Sequence, residues 1–346
     1  MKKLDFRVPF TGFAHLSWFN AFAAAYVHIE GFEGKTDYDC PKETSGQCNG
    51  CGNCRGGLGG IQESWYFLFQ TLSACAAYQQ DFSATLVCPD QDEEVFDFCM
   101  KLAGYRYERI TEDLPNALRA SIDAGIPAIA WMKEGDHGPA RVLIGYDGDD
   151  PIMAEPKGAQ NPPEQAPAYG DIARLYIIKE KGAPERTLLD GLRRIERVMQ
   201  SNLDRRIWDE AKEPFDYWNG NLSAVSFEDL KNRFDRIKSL AWNFDNCHNF
   251  SEAFRQAVFE PLRDSRLEEA RRTIDRAYDD SHTRHWQLIA LYECRDWTNR
   301  RYNELEWGMC ECVRTALTQL KANDEQVLAA VRDMIALLEQ NEPVYK

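Results

Sequence analysis

Between Leu114 and Pro156 the chain reads LPNALRASIDAGIPAIAWMKEGDHGPARVLIGYDGDDPIMAEP, and that order of signals admits few folds. Gly125 closes a helix, because glycine takes the left-handed conformation on which many helices end. A buried strand follows, then a loop carrying His137. Arg141 to Tyr146 is an apolar run short enough for one strand, and Asp147-Gly148 is the kind of pair that tight hairpin turns favour. Ile152 to Ala154 then returns toward Glu155-Pro156.

The chain on either side extends this α+β pattern. Phe13 to Ile29 has Leu16, Phe19, Ala23 and Val27 on one face, the spacing of a helix buried on most sides. It belongs to an uncharged run, Val8 to Ile29, that includes two histidines, Ser17 and Asn20, so a buried helix is expected there and no membrane span. His15, Ser17 and Asn20 sit near the amino end of that helix, where unpaired backbone N–H groups favour developing negative charge. Ser17 or Asn20 could equally cap the helix or satisfy a neighbour.

Ile61 to Tyr78 is again helical in length, and the glycine-rich Arg55 to Gly60 before it reads as a flexible linker. Phe82 to Cys88 is a short strand candidate, and Gln91 to Leu102 an amphipathic helix with an acidic first turn. Tyr105 to Ile110 alternates like a half-exposed strand. After a proline-rich loop from Lys157 to Gly170, Ile172 to Ile178 closes the sheet.

Past Gly182-Ala183-Pro184 strand signals vanish. Apolar stripes at three and four spacing follow, beginning at Leu188, Phe227, Phe250, Tyr302 and Val327. The division expected is an α+β domain over 1–180, with a cysteine-rich loop at 38–60, and an all-helical domain over 184–346. The histidines of the helical part, His248, His282 and His285, form no Glu-x-x-His pair, so no metal is assigned there.

Composition narrows the partners. A formal charge of −15 without a basic stripe excludes a phosphate-binding surface for nucleic acid. Acidity of this size suits a cytoplasmic protein, and eleven cysteines in such a setting argue against a disulfide framework. Four of them fall together. Cys40, Cys48, Cys51 and Cys54 have the spacing C-x7-C-x2-C-x2-C, in which two-residue gaps turn consecutive thiolates toward one centre. Four sulfurs at about 2.3 Å complete a tetrahedral structural zinc site, whose binding energy orders a loop that has no core of its own. Free or transiently oxidised thiols and an iron–sulfur cluster are the alternatives.

The block from Leu118 to Pro156 resembles the carboxy-terminal half of the papain-like superfamily. It is most similar to the C39-type bacteriocin-processing peptidases and to the butirosin biosynthesis H-like acyltransferases. In order of elements the resemblance extends from about Pro9 to Ile178. It implies a papain-like N-terminal domain with a nucleophile at the start of the first helix, a catalytic His opening a strand, and an acidic orienter near the end of the next. This chain departs from that pattern: Leu16 follows His15 where those families place Cys, and Pro139 stands six positions before Gly145 where they place His. The nearest substitutes are Ser17 as nucleophile, His137 as base and Glu155 as orienter. Gln47-Cys-Asn-Gly-Cys51-Gly-Asn-Cys54 also resembles the papain Gln and nucleophile segment, with Cys54 as the thiol, though the glycines after it read as too many to start a helix.

Two functions therefore stand as expectations. One is a degenerate or non-peptidase member that binds a small molecule or peptide in the remnant cleft. The other is an acyl- or amide-transferring or hydrolysing enzyme with a displaced Ser/Cys-His-Glu set.

Overall fold

The computed structural model describes residues 1–8, 17–32, 58–74, 93–133, 140–154, 168–216, 232, 234, 235, 237, 238, 265–293 and 306–340. Contacts divide the chain into two compact units, Met1–Gln70 with Cys88–Thr187, and Thr71–Val87 with Leu188–Lys346. The described residues are mixed α+β, predominantly helical, with one antiparallel sheet.

The first unit holds β1 (Lys2–Lys3), α1 (Ser17–Ile29), α2 (Leu58–Leu72), α3 (Glu93–Leu102), β2 (Tyr105–Ile110), α4 (Leu114–Asp123), β3 (Ala128–Met132), β4 (Ala140–Asp147), β5 (Asp150–Met153) and β6 (Ile172–Lys181); the last two residues of α2 group with the second unit. The strands pair in the order β1-β4-β3-β6-β2, with β5 against β4, and every pairing is antiparallel. Two side-chain layers cover the sheet. On one face Leu114, Leu118 and Ile122 of α4 pack with Ala128, Ala130, Leu143 and Leu175. The residues that alternate with these present the other face, where Phe96 of α3 meets Trp131 and Tyr176, and α1 packs on β3 and β4.

The helix ends follow from local chemistry. α4 stops at Gly125 (φ +82°): its N–H donates to Ile122 O and the Ile126 N–H to Ser121 O, a doubly bonded terminus that only the left-handed residue allows. The hairpin corrects the expected turn pair. Asp147 faces Asp150 across the ladder, so the two turn residues are Gly148 and Asp149. Gly148 alone of these has positive φ, which puts glycine first in the turn, the type II′ arrangement.

Two further expectations are overturned. α2 opens at Leu58, so Gly59 and Gly60 are helical and not linker. Glycine costs a helix about 1 kcal/mol each. Burial of Tyr66, Phe67 and Phe69 further along the same helix offsets that cost. Met309, Cys312 and Leu320 of one expected stripe and Val327 to Leu338 of the next lie on one continuous helix, α8 (Glu306–Gln340), because Lys321 to Gln326 contains no glycine or proline to stop it; Tyr302 and Leu305 lie outside the described residues. The strand expected at Phe82 to Cys88 lies outside the described residues.

β1 reaches β4 only because position 145 has no side chain. A methyl on Gly145 would overlap the Lys2 carbonyl and come within 2.9 Å of Lys3 Cα. Gly145→Ala should therefore displace β1, losing the Leu4 N–H bond to Ile144 O (2.8 Å) and the Lys2–Asp123 pair (2.6 Å). The expected cost is about 1–3 kcal/mol, read as a lowered denaturation midpoint with faster amide exchange at Leu4. An unchanged midpoint and unchanged exchange would contradict this.

The second unit contains α5 (Leu188–Asp204), α6 (Ile207–Asp216), α7 (Glu268–Glu293) and α8, with α8 packed on the other three. Its core includes Trp208, Phe215, Phe234, Leu288, Val313 and Leu317. A buried polar group sets the register of α7 on α8: Asn323 Nδ2 donates to Asp280 Oδ2 (2.9 Å) and to Ser281 Oγ (3.0 Å). Gly191 of α5 lets the helix approach Leu72, whose Cβ would stand 3.0 Å from an added methyl, and Arg194 donates to the Ser73 carbonyl at 2.7 Å.

The first turn of α7 carries a testable charge cluster. Glu268 accepts from Arg271 (2.8 and 3.0 Å) and Arg272 (3.0 Å), and these bonds hold its carboxyl down at about 2. A depressed carboxyl stabilises the fold above its unfolded pKa, and that contribution is lost as pH falls through the folded value. The helix start should thus loosen between about pH 4.5 and 2. Side-chain carboxyl NMR through that range checks it; a Glu268 midpoint near 4.5 contradicts the cluster.

Candidate functional site

α1 and α2 meet through side chains. Gln62 of α2 donates its amide to Asn20 O (3.3 Å) and Asn20 Oδ1 (3.2 Å), Tyr66 meets Phe19, and Phe69 meets Phe22 and Tyr26. Asn20 and Gln62 are both buried, so each supplies the polar partner that the other needs. Of the two structural roles expected for Asn20, cap or partner to a neighbour, the bond from Gln62 shows the second.

Contacts with the sheet give α1 its direction. At its amino end Trp18 stacks on Phe96 at 4.2 Å; Phe96 lies 6.3 Å from Trp131, and Trp131 pairs with Ala140, the first residue of β4. At its carboxyl end Glu30 accepts from the Tyr105 hydroxyl (2.8 Å) and pairs with Lys181, the last residue of β6. The lengths agree: thirteen helical residues span about 18 Å, and Arg174 to Lys181 along β6 spans about 23 Å. α1 thus directs its amino end, with the partial positive charge of its first N–H groups, toward the sheet end where β4 begins.

The same sheet end receives two more segments. β5 runs antiparallel to β4, and the Ala154 N–H donates to Val142 O at 2.9 Å, so the end of β5 lies beside the start of β4. β3 ends at Met132, opposite Ile172 where β6 begins. On the α1 side of that end, the Arg174 guanidinium stands 5.1 Å over the Trp131 ring and 5.6 Å over Tyr176, with Nε donating to the Tyr176 hydroxyl at 2.8 Å.

Of the catalytic and metal-binding candidates named by sequence, Ser17 alone lies among the described residues. Ser17 is the first residue of α1, and nothing of its side chain is described. His137 lies outside the described residues, three positions before Ala140; Glu155 also lies outside them, one position after Ala154. Cys40, Cys48, Cys51 and Cys54 lie outside them too, with Cys54 four positions before α2 opens. Among the described residues no three or more His, Cys, Asp or Glu side chains are grouped to hold a metal ion, and no helix is long and apolar enough to cross a membrane.

The sequence did not reveal the Asn20–Gln62 link between the two helices or the Trp131–Arg174 pair. Asn20 and Gln62, polar residues in stretches rich in aromatics, were the available signal for the first. Nothing local marked the second, because it depends on the register of β3 against β6. No family model, curated protein or solved structure matches this chain.

Proposed function

We propose that the first unit is a papain-like domain that binds a small molecule or peptide in a cleft at the β4 amino end, without peptidase activity. The observation that carries this reading is the meeting of the α1 amino end, the start of β4 and the end of β5 at one end of the sheet. In that layout a ligand carbonyl or carboxylate faces the α1 N-terminus. Leu16 and Pro139, at the positions where the related families carry Cys and His, weigh against chemistry there.

The opening of α2 at Leu58 favours a second reading, acyl or amide transfer or hydrolysis. A helix does start soon after Cys54, so a thiol there, or the Ser17 hydroxyl, would act as nucleophile with His137 as base and Glu155 as its orienter. The four clustered cysteines are proposed to hold a structural zinc ion instead, which would occupy the Cys54 thiolate.

Limited alkylation of the whole protein separates the readings. Under the binding reading, labelling spreads over several cysteines and is indifferent to His137→Ala. Stoichiometric labelling of one cysteine, or of Ser17 by a fluorophosphonate, that disappears in His137→Ala overturns it in favour of transfer. Elemental analysis of untagged protein should find about one equivalent of zinc; less than about half an equivalent rejects the metal.

A further inference from the structure

We draw no further inference here: the strongest candidate, the surface patch of Arg106 and Glu108 on the edge strand β2, carries nothing, because each side chain is already ion-paired with the adjacent β6, to Glu180 at 3.1 Å and to Lys179 at 3.0 Å, and nothing in the structure shows what covers that edge.

Discussion

Trp18→Ala should cost the first unit about 3–5 kcal/mol. Trp18 is wholly buried, stacked between Phe22 at 4.9 Å and Phe96 at 4.2 Å, with the edge of Phe19 at 5.4 Å. Truncation removes a large apolar surface and leaves a cavity that three aromatic neighbours on two helices cannot jointly collapse into. Phe96 is also the ring through which α1 reaches Trp131, so the amino end of α1 should lose its anchor at the candidate site. In a domain of this size the loss corresponds to a fall in melting temperature of roughly 10 °C.

Trp18→Phe should be much milder, because the indole N–H is buried with no hydrogen-bond partner among the described residues, and replacing it removes that desolvated donor along with some volume. Chemical denaturation of the two variants checks the order. A loss below about 1 kcal/mol for Trp18→Ala would mean that the stack is not core.

Gly104→Val should destabilise by about 3 kcal/mol, from two separable causes. Gly104 ends α3 at φ +75°, where a side chain costs about 1–2 kcal/mol and a β-branched one more. An added Cβ would also stand 2.6 Å from Gly182 O and 3.1 Å from Ala183 C and Pro184 N, all of them backbone atoms, while the Gly182 N–H donates to Gly104 O at 2.7 Å. Gly125 supplies the control: its φ is +82°, yet nothing lies within 4 Å of an added Cβ. Gly125→Ala should thus cost only the conformational part, about 1 kcal/mol, and Gly104→Ala distinctly more. Urea titrations yielding equal losses at the two glycines would remove the steric cause.

How much could be read without coordinates depended on whether the cause was local. Tyr105 to Ile110 alternates, and β2 has those bounds. Gly125 ends α4 because a left-handed residue is a local requirement, and Ile172 opens β6 after a proline-rich stretch. Local rules failed where packing overrode them or where they tied in sequence. Gly59 and Gly60 look like linker until the aromatic face beyond them is seen to be buried. Asp147-Gly148 and Gly148-Asp149 are both acceptable turn pairs, and the cross-strand partnership of Asp147 with Asp150 decides between them. At the candidate site, sequence spacing named Ser17, His137 and Glu155 without any means of saying whether they share one end of a sheet. Their described flanks do: Trp18, Ala140 and Ala154 are related through Phe96, Trp131 and the hydrogen bond to Val142.

By itself the sequence determined the α+β class, most strands, and the residue types available for chemistry, because periodicity and turn residues act over a few positions. Only the tertiary structure decided that Asn20 and Gln62 join α1 to α2, and that the α1 amino end points to the start of β4. Those relations rest on ring contacts and a buried amide pair tens of residues apart in the chain, between side chains that any helical stripe could contain.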